Sequence, residues 1–237
     1  MRPLLPILAL VLALPACSGR TRAGGACPVL HVLAAQSLEP ALRDFAGDRS
    51  DVRISYGASG LLLRQLERGA PAALFLSAGA TEAELAAAGG TTIPFAANRL
   101  VLAVPAETPE APPAAILAGA RRLAIGRAPL VPGGRYAREA LEILGLAAAV
   151  VPKLVEAEST PQALAWLRGG QVDAAIVYRT DARTAGDRVR IAAELETRTP
   201  IRYLAAIPPG PCAAEARAFV EELRRSPVLA AHGFVPP

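Results

Sequence analysis

Short apolar runs alternate along this chain with stretches of helical periodicity, and Ser- or Gly-bearing turns separate many of the pairs. Val29 to Ala35, Val52 to Tyr56, Ala73 to Leu76, Leu100 to Val104, Leu123 to Gly126, Ala174 to Tyr178, Val189 to Ala192 and Ile201 to Ile207 read as strands. Helical patterns open at Leu38 with Leu42 and Phe45 on one face, and run over Leu61–Arg68, Thr81–Ala88, Arg135–Leu144, Thr160–Arg168 and Glu215–Arg224. Thr160-Pro161 reads as an N-cap followed by the first helical residue. This order predicts an α/β protein with parallel-rich sheets and helices on both faces. The alternation breaks near Asn98-Arg99 and again near Thr199-Pro200. Two extended crossings predict two lobes on a two-strand hinge: residues 28–98 with 203–237 in lobe I, and 99–202 in lobe II. Ligands of open α/β sheets lie beyond the carboxyl ends of the strands, here in the cleft between the lobes.

The first residues read as an address. Met1-Arg2 carries one positive charge, Leu4 to Leu14 is almost wholly apolar, and Pro15-Ala16 follows. That is a signal-peptide pattern over residues 1–16, and the run is too short to span a bilayer as a stable helix. Leu14-Pro15-Ala16-Cys17 resembles the bacterial lipobox, in which the Cys is diacylated and becomes the mature N-terminus. Ordinary cleavage after Ala16 is the alternative; an exposed free Cys in an oxidising compartment favours the lipid anchor. Residues 17–27 then form the lipidated terminus and a Gly-, Arg- and Ser-rich tether. Cys27 and Cys212 are left, and an even remainder in an exported protein suggests a disulfide, two separate buried thiols being the alternative.

Composition narrows the function. Of 237 residues 52% are hydrophobic and 19% charged, so the chain can bury a full core. Aromatics are 4%, too few for an aromatic-lined sugar cleft. The net charge of +4 comes from Arg scattered among acids, with Lys153 the only lysine, so no basic patch points to nucleic acid. His31, His232 and the cysteines stand at no metal-ligand spacing, so no metal site and no cofactor is expected.

The turns hold the informative residues. Ser37 and Ser59 each follow a strand and precede a helix, Gly133-Gly134 precedes another helix, and Thr160 caps a fourth. Four helix N-termini aimed at one place would supply backbone N–H groups and partial positive charge. With the hydroxyls they suit an anion that accepts hydrogen bonds and donates none. Each residue also has a bland role: Ser37, Ser59 and Thr160 as caps, Gly133 as a turn glycine, Tyr178 as a packed ring. Arg64, Arg127 and Arg135 are candidates for the mouth of such a site. Gly57-Ala58-Ser59-Gly60 falls short of a nucleophile elbow, and neither histidine makes a convincing base, so an enzyme is not expected.

Several strings carry a resemblance. Val32-Leu33-Ala34-Ala35-Gln36-Ser37-Leu38, Gly57-Ala58-Ser59-Gly60, Arg64 to Ala72, Phe75-Leu76-Ser77-Ala78, Asn98-Arg99-Leu100-Val101-Leu102, Val131-Pro132-Gly133-Gly134-Arg135-Tyr136-Ala137, Ile176-Val177-Tyr178-Arg179-Thr180-Asp181-Ala182 and Gly233-Phe234 resemble the periplasmic molybdate-binding proteins of ABC importers. The resemblance runs from about Val29 to Phe234. It implies the two-lobed type II periplasmic-binding fold, hinge closure on molybdate or tungstate, and delivery to ABC permease subunits by a monomer. It assigns hydroxyl and backbone donors to Ser37 and Ser59, backbone N–H groups to Gly133 and Thr160, and a hydroxyl to Tyr178. Three acids usual in the family are replaced here, by Ala73, Gly79 and Arg127, which is expected to make the cleft more positive. Another oxyanion, such as sulfate or phosphate, is the alternative ligand.

Overall fold

The computed structural model of the chain describes residues 27–79, 85, 86 and 89–237. The leader over residues 1–16, Cys17 with its tether to Ala26, and most of the helix expected over Thr81–Ala88 lie outside the described residues.

The first half begins with β1 (Leu30–Ala35), a 3-10 turn (Gln36–Leu38), α1 (Glu39–Ala46) and β2 (Val52–Gly57). It continues through α2 (Ser59–Glu67), β3 (Leu74–Ala78) and β4 (Thr91–Asn98). The second half contains β5 (Leu100–Pro105), α3 (Pro113–Gly119), β6 (Leu123–Gly126), α4 (Pro132–Ile143) and α5 (Ala147–Val150). After these come β7 (Leu154–Ala157), α6 (Thr160–Arg168), β8 (Ala174–Tyr178), α7 (Arg179–Arg183) and β9 (Val189–Leu195). The chain then returns through β10 (Ile201–Ile207), α8 (Ala213–Arg225) and α9 (Val228–Ala231).

Two five-stranded sheets result, ordered β2-β1-β3-β10-β4 and β7-β6-β8-β5-β9. β1 pairs in parallel with β2 and β3, and β6 with β7 and β8. β10 runs antiparallel to β3 and β4, and β5 antiparallel to β8 and β9. Each sheet is therefore mixed rather than wholly parallel. Its one reversed strand is the strand by which the chain enters it after a crossing. β3 and β8 lie in the middle of their sheets and bury every residue, which is why they read as unbroken apolar runs.

The crossings are short: only Arg99 separates β4 from β5, and residues 196–200 separate β9 from β10. β10 begins at Ile201, two residues before the return expected at 203. Tyr203 sits at the junction, edge-on to Phe95, Tyr178 and Phe234 at centroid distances of 6.1, 6.0 and 5.1 Å. These rings weld the two halves' cores into one buried cluster. Cys27 and Cys212 are disulfide-bonded, Cα to Cα 5.0 Å, tying the start of the described chain to the head of α8.

Around the turn residues singled out by sequence, three helix starts differ from expectation. Ser59 is the first residue of α2 rather than a residue before it, and α4 starts at Pro132, so Gly133 and Gly134 lie in its first turn. The cap of α6 is Ser159, whose Oγ accepts from the Gln162 amide at 3.2 Å; Thr160 is already helical. Ser159 can cap because its backbone is extended, as an N-cap requires. Strands β4 and β7 and helices α3, α5, α7 and α9 are not among the elements expected from sequence.

Candidate functional site

Six strands end at one place. The turn after β1 brings Ser37, the turn after β2 brings Ser59, and Ala78 closes β3; from the second half, Pro132 and Thr160 follow β6 and β7, and Tyr178 closes β8. These residues surround a small cavity at the carboxyl ends of the parallel strands of both sheets. The space open to atom centres is about 20 Å³, a sphere about 1.7 Å in radius, enough for one water-sized or small polyatomic group. No residue that lines it is charged.

Ser37, Ser59, Thr160 and Tyr178 all contribute to this wall and are all buried. Gly133 is adjacent: a Cβ built there would lie 2.4 Å from Thr160 Cγ2 and 3.5 Å from the Tyr178 ring. Gly134 is fixed by packing instead, since its Cβ would lie 1.8 Å from the Gly126 carbonyl oxygen. The Gly-Gly pair thus lets α4 start against both β6 and the cavity.

The bland roles do not account for the serines. Neither hydroxyl caps a helix. Ser59 Oγ accepts from the Ala78 amide at 3.0 Å, which leaves its own hydrogen to donate. Asn98 Oδ1 accepts from the Arg99 amide at 2.8 Å, so the Asn98 amide nitrogen faces the Tyr203 and Thr180 oxygens, at 3.2 and 2.9 Å. Tyr203 Oη and Ser37 Oγ share a hydrogen bond at 3.0 Å in which either can donate; with Asn98 donating to Tyr203, Ser37 Oγ is the acceptor open to the Tyr203 hydrogen among the described residues. Ser37 is then also left with a hydrogen to donate. Tyr178 Oη is buried and has no partner among the described residues. Burial pushes the Tyr178 and Tyr203 phenols well above their usual range, so both keep their protons. Three hydroxyl hydrogens are therefore available around one cavity.

The halves touch beside it. The Gly60 amide donates to the Leu130 carbonyl at 3.0 Å, and Arg135 donates to the Gly79 carbonyl while its guanidinium stacks 5.6 Å from the Tyr136 ring centroid. Gly79 has φ +73°, and a Cβ there would lie 2.6 Å from the Tyr136 ring. The aspartate expected at that position by resemblance would not fit this approach. Of the three candidate arginines none lines the cavity: Arg64 is exposed, Arg127 pairs with Glu158 at 2.7 Å, and Arg135 sits on the contact just described. The charge that Arg127 brings is thus offset by Glu158.

Asn98, Tyr203 and the Ala78 amide were not singled out by sequence. A buried Asn at the end of a strand, where the chain crosses between sheets, is the one signal that could have marked the first.

Comparison with known proteins places these features in a family. Residues 30–235 match the family described as bacterial extracellular solute-binding protein. The molybdate-binding protein ModA of Escherichia coli strain K12 is 32% identical over 214 residues, 82% of this chain and 83% of its own. ModA of Haemophilus influenzae is 29% identical over 226 residues, 86% of this chain and 88% of its own. The Azotobacter vinelandii periplasmic molybdate-binding protein shares the fold, with a TM-score of 0.73 at 24% identity, over 88% of this chain and 99% of its own. The strand-end cavity, the two linked sheets and a family match across nearly all the described residues agree, and the chain belongs to the bacterial extracellular solute-binding proteins.

Proposed function

We propose that this protein captures molybdate or tungstate between its two halves by hinge closure and hands it to the membrane subunits of an ABC permease. The observation that carries the reading is the set of three hydroxyl hydrogens, from Ser37, Ser59 and Tyr178, around one small uncharged cavity. A fully ionised tetrahedral oxyanion puts four acceptor oxygens at one distance from its centre and offers no hydrogen in return. It matches a donor wall of that size, and backbone N–H groups at the heads of α2, α4 and α6 add to the field. The ligands named for the Escherichia coli and Haemophilus influenzae relatives support the same choice.

Hydrogen phosphate carries a proton that needs an acceptor, and no carboxylate lines the cavity. Sulfate is smaller than the metal oxyanions and reaches a fixed donor shell less well. A hydrolytic role for Ser59 has little support: its oxygen is held by the Ala78 amide, and His232 pairs with Asp44. Cys17 would carry a diacyl anchor holding the receptor at the membrane on the periplasmic side, since Leu14-Pro15-Ala16-Cys17 fits the lipidation pattern.

Calorimetric titration with molybdate, tungstate, sulfate and phosphate tests the ligand. Tight binding of the two metal oxyanions and weak binding of the others is expected. Sulfate binding as tightly as molybdate moves the assignment to sulfate, and no heat with any of the four overturns the site. Mass spectrometry of membrane-fraction protein tests the anchor: an unmodified N-terminus at Ser18 or later refutes it.

A further inference from the structure

A second space of about 90 Å³ lies between the halves, and Ser37 belongs to both its wall and that of the anion cavity. Gln36, Glu39 and His232 line it from the first half, and Thr180 and Asp181 from the second. Asp181 is the third residue of α7 and is buried. Its carboxyl accepts from the Thr160 hydroxyl and, as an acid at that helix position often does, from the Tyr178 amide. Its Oδ2 has no hydrogen-bond partner among the described residues. Helix capping explains one oxygen and leaves the other, in a buried wall, unexplained.

The charges around it are already engaged. Glu39 bonds Arg43 and Gln36, His232 pairs with Asp44 at 2.7 Å, and Arg179 pairs with Glu194 at 3.1 Å. Arg183 packs against Gly233. Tyr178 and Tyr203, the other titratable groups facing it, stay neutral. Among the described residues no cation forms an ion pair with Asp181.

Given the oxyanion reading above, on which this step rests, we propose that Asp181 takes up a proton from solvent when the neighbouring cavity fills, so that anion capture is coupled to uptake of one proton. A dianion held by neutral dipoles brings no cation with it, and Thr160 stands in both the anion wall and the bond to Asp181. A second buried negative charge so close is relieved most readily by protonation. Burial already raises the Asp181 carboxyl to about 7, so it is poised for this change near neutral pH. The sign follows from linkage: above about pH 7 the empty protein holds Asp181 ionised and the loaded protein holds it protonated, so affinity falls as pH rises. Well below that pH both states are protonated and the dependence vanishes.

Molybdate titrations of the full chain at about pH 8, in two buffers of different ionisation enthalpy, read the proton directly. The expected result is a buffer-dependent enthalpy equivalent to about one proton per anion. The dissociation constant should rise by up to about tenfold per pH unit above neutrality. Asp181→Asn should abolish the buffer dependence, flatten the pH profile and bind more tightly than the parent protein at about pH 8. Equal enthalpies in the two buffers, or the same pH slope in D181N, overturn the proposal. Should D181N fail to fold, the infrared difference spectrum of the unaltered protein with and without molybdate decides: a carboxylic-acid carbonyl band appearing on binding supports the proposal, and its absence overturns it. Molybdate bound at about pH 6 with no proton uptake at pH 8 sinks this inference alone, whereas no binding at either pH sinks the oxyanion reading beneath it.

Discussion

Tyr203 Oη lies 3.0 Å from Ser37 Oγ in a hydrogen bond that either can donate, and the Asn98 amide donates to the same Tyr203 oxygen at 3.2 Å, which leaves Ser37 Oγ as the acceptor for the phenol hydrogen. Two residues from the crossings between the sheets thereby set which way a hydroxyl at the cavity points. Tyr203→Phe keeps the ring and its three edge-on contacts but frees Ser37 to turn its hydrogen elsewhere. Molybdate affinity should fall by about 1 kcal/mol, roughly fivefold, with a modest drop in melting temperature because the buried Asn98 amide loses an acceptor. Calorimetry beside a thermal melt checks this; unchanged affinity would mean that Tyr203 does not orient Ser37.

Ser59→Ala removes a donor to a charged ligand. The expected loss is about 1.5–3 kcal/mol, roughly tenfold to a hundredfold in affinity. The same change orphans the Ala78 amide, so a modest drop in melting temperature of the ligand-free protein should accompany it. A drop in stability with full affinity would make Ser59 a structural residue only.

At Gly60 the two halves meet through a backbone hydrogen bond to Leu130. A Cβ there would lie 2.7 Å from the Leu130 carbonyl oxygen, and backbone at that distance cannot give way as a flexible side chain can. Gly60→Ala should leave each half folded but hold them apart. Small-angle scattering should then show less compaction on adding molybdate, together with weaker binding. Normal compaction would show that the halves close without this contact.

The middle of each sheet was legible in the sequence, as were the edge strand β2 and the first half of β9, whereas the edge strands β4 and β7 were not. Ala174–Tyr178 and Ile201–Ile207 match the observed strands because interior strands are apolar along nearly their whole length, with exposed Arg202 the one charged residue in the two. β4 escaped because Pro94 interrupts it, which an edge strand tolerates; the register shifts opposite it, between Tyr203 and Leu204. β7, also an edge, is only Leu154 to Ala157 and alternates too briefly to register. α3 buries Leu117 alone, so its helical face leaves almost no apolar period. At the site, the repeated strand–turn–helix order marked Ser37 and Ser59. It could not mark what aims them, because Tyr203 and Ala78 lie 166 and 19 residues away in sequence. The Thr160 cap was misplaced by one residue, since Ser159 and Thr160 are both favourable cap residues in adjacent positions and backbone geometry selects Ser159.

Asp181 also sets a pH dependence of stability without any ligand. Its folded value, about 7, lies above the ordinary carboxylate value of 3.8, so the folded protein binds this proton more tightly than the unfolded chain. Stability should therefore fall as pH rises from about 4 to about 7 and level off above, by on the order of 4 kcal/mol from this group alone. Other carboxylates titrate in the same range, so the difference between the parent protein and D181N isolates the effect. Denaturant unfolding across that range should show D181N gaining on the parent as pH rises; parallel curves would place the Asp181 carboxyl in the normal range.

The Cys27–Cys212 bond spans 185 residues of sequence but joins two segments on the first half, and neither cysteine lines the cavity. Closing so long a loop restricts the unfolded chain, and removing a native disulfide costs about 2–5 kcal/mol. Cys27→Ser with Cys212→Ser should accordingly lower the melting temperature by several degrees while leaving molybdate affinity and its pH profile unaltered. The separation of the two effects is the point of the measurement. Loss of affinity in step with stability would mean that the head of α8 is coupled to the strand ends, and that the cavity depends on more of the first half than the residues lining it.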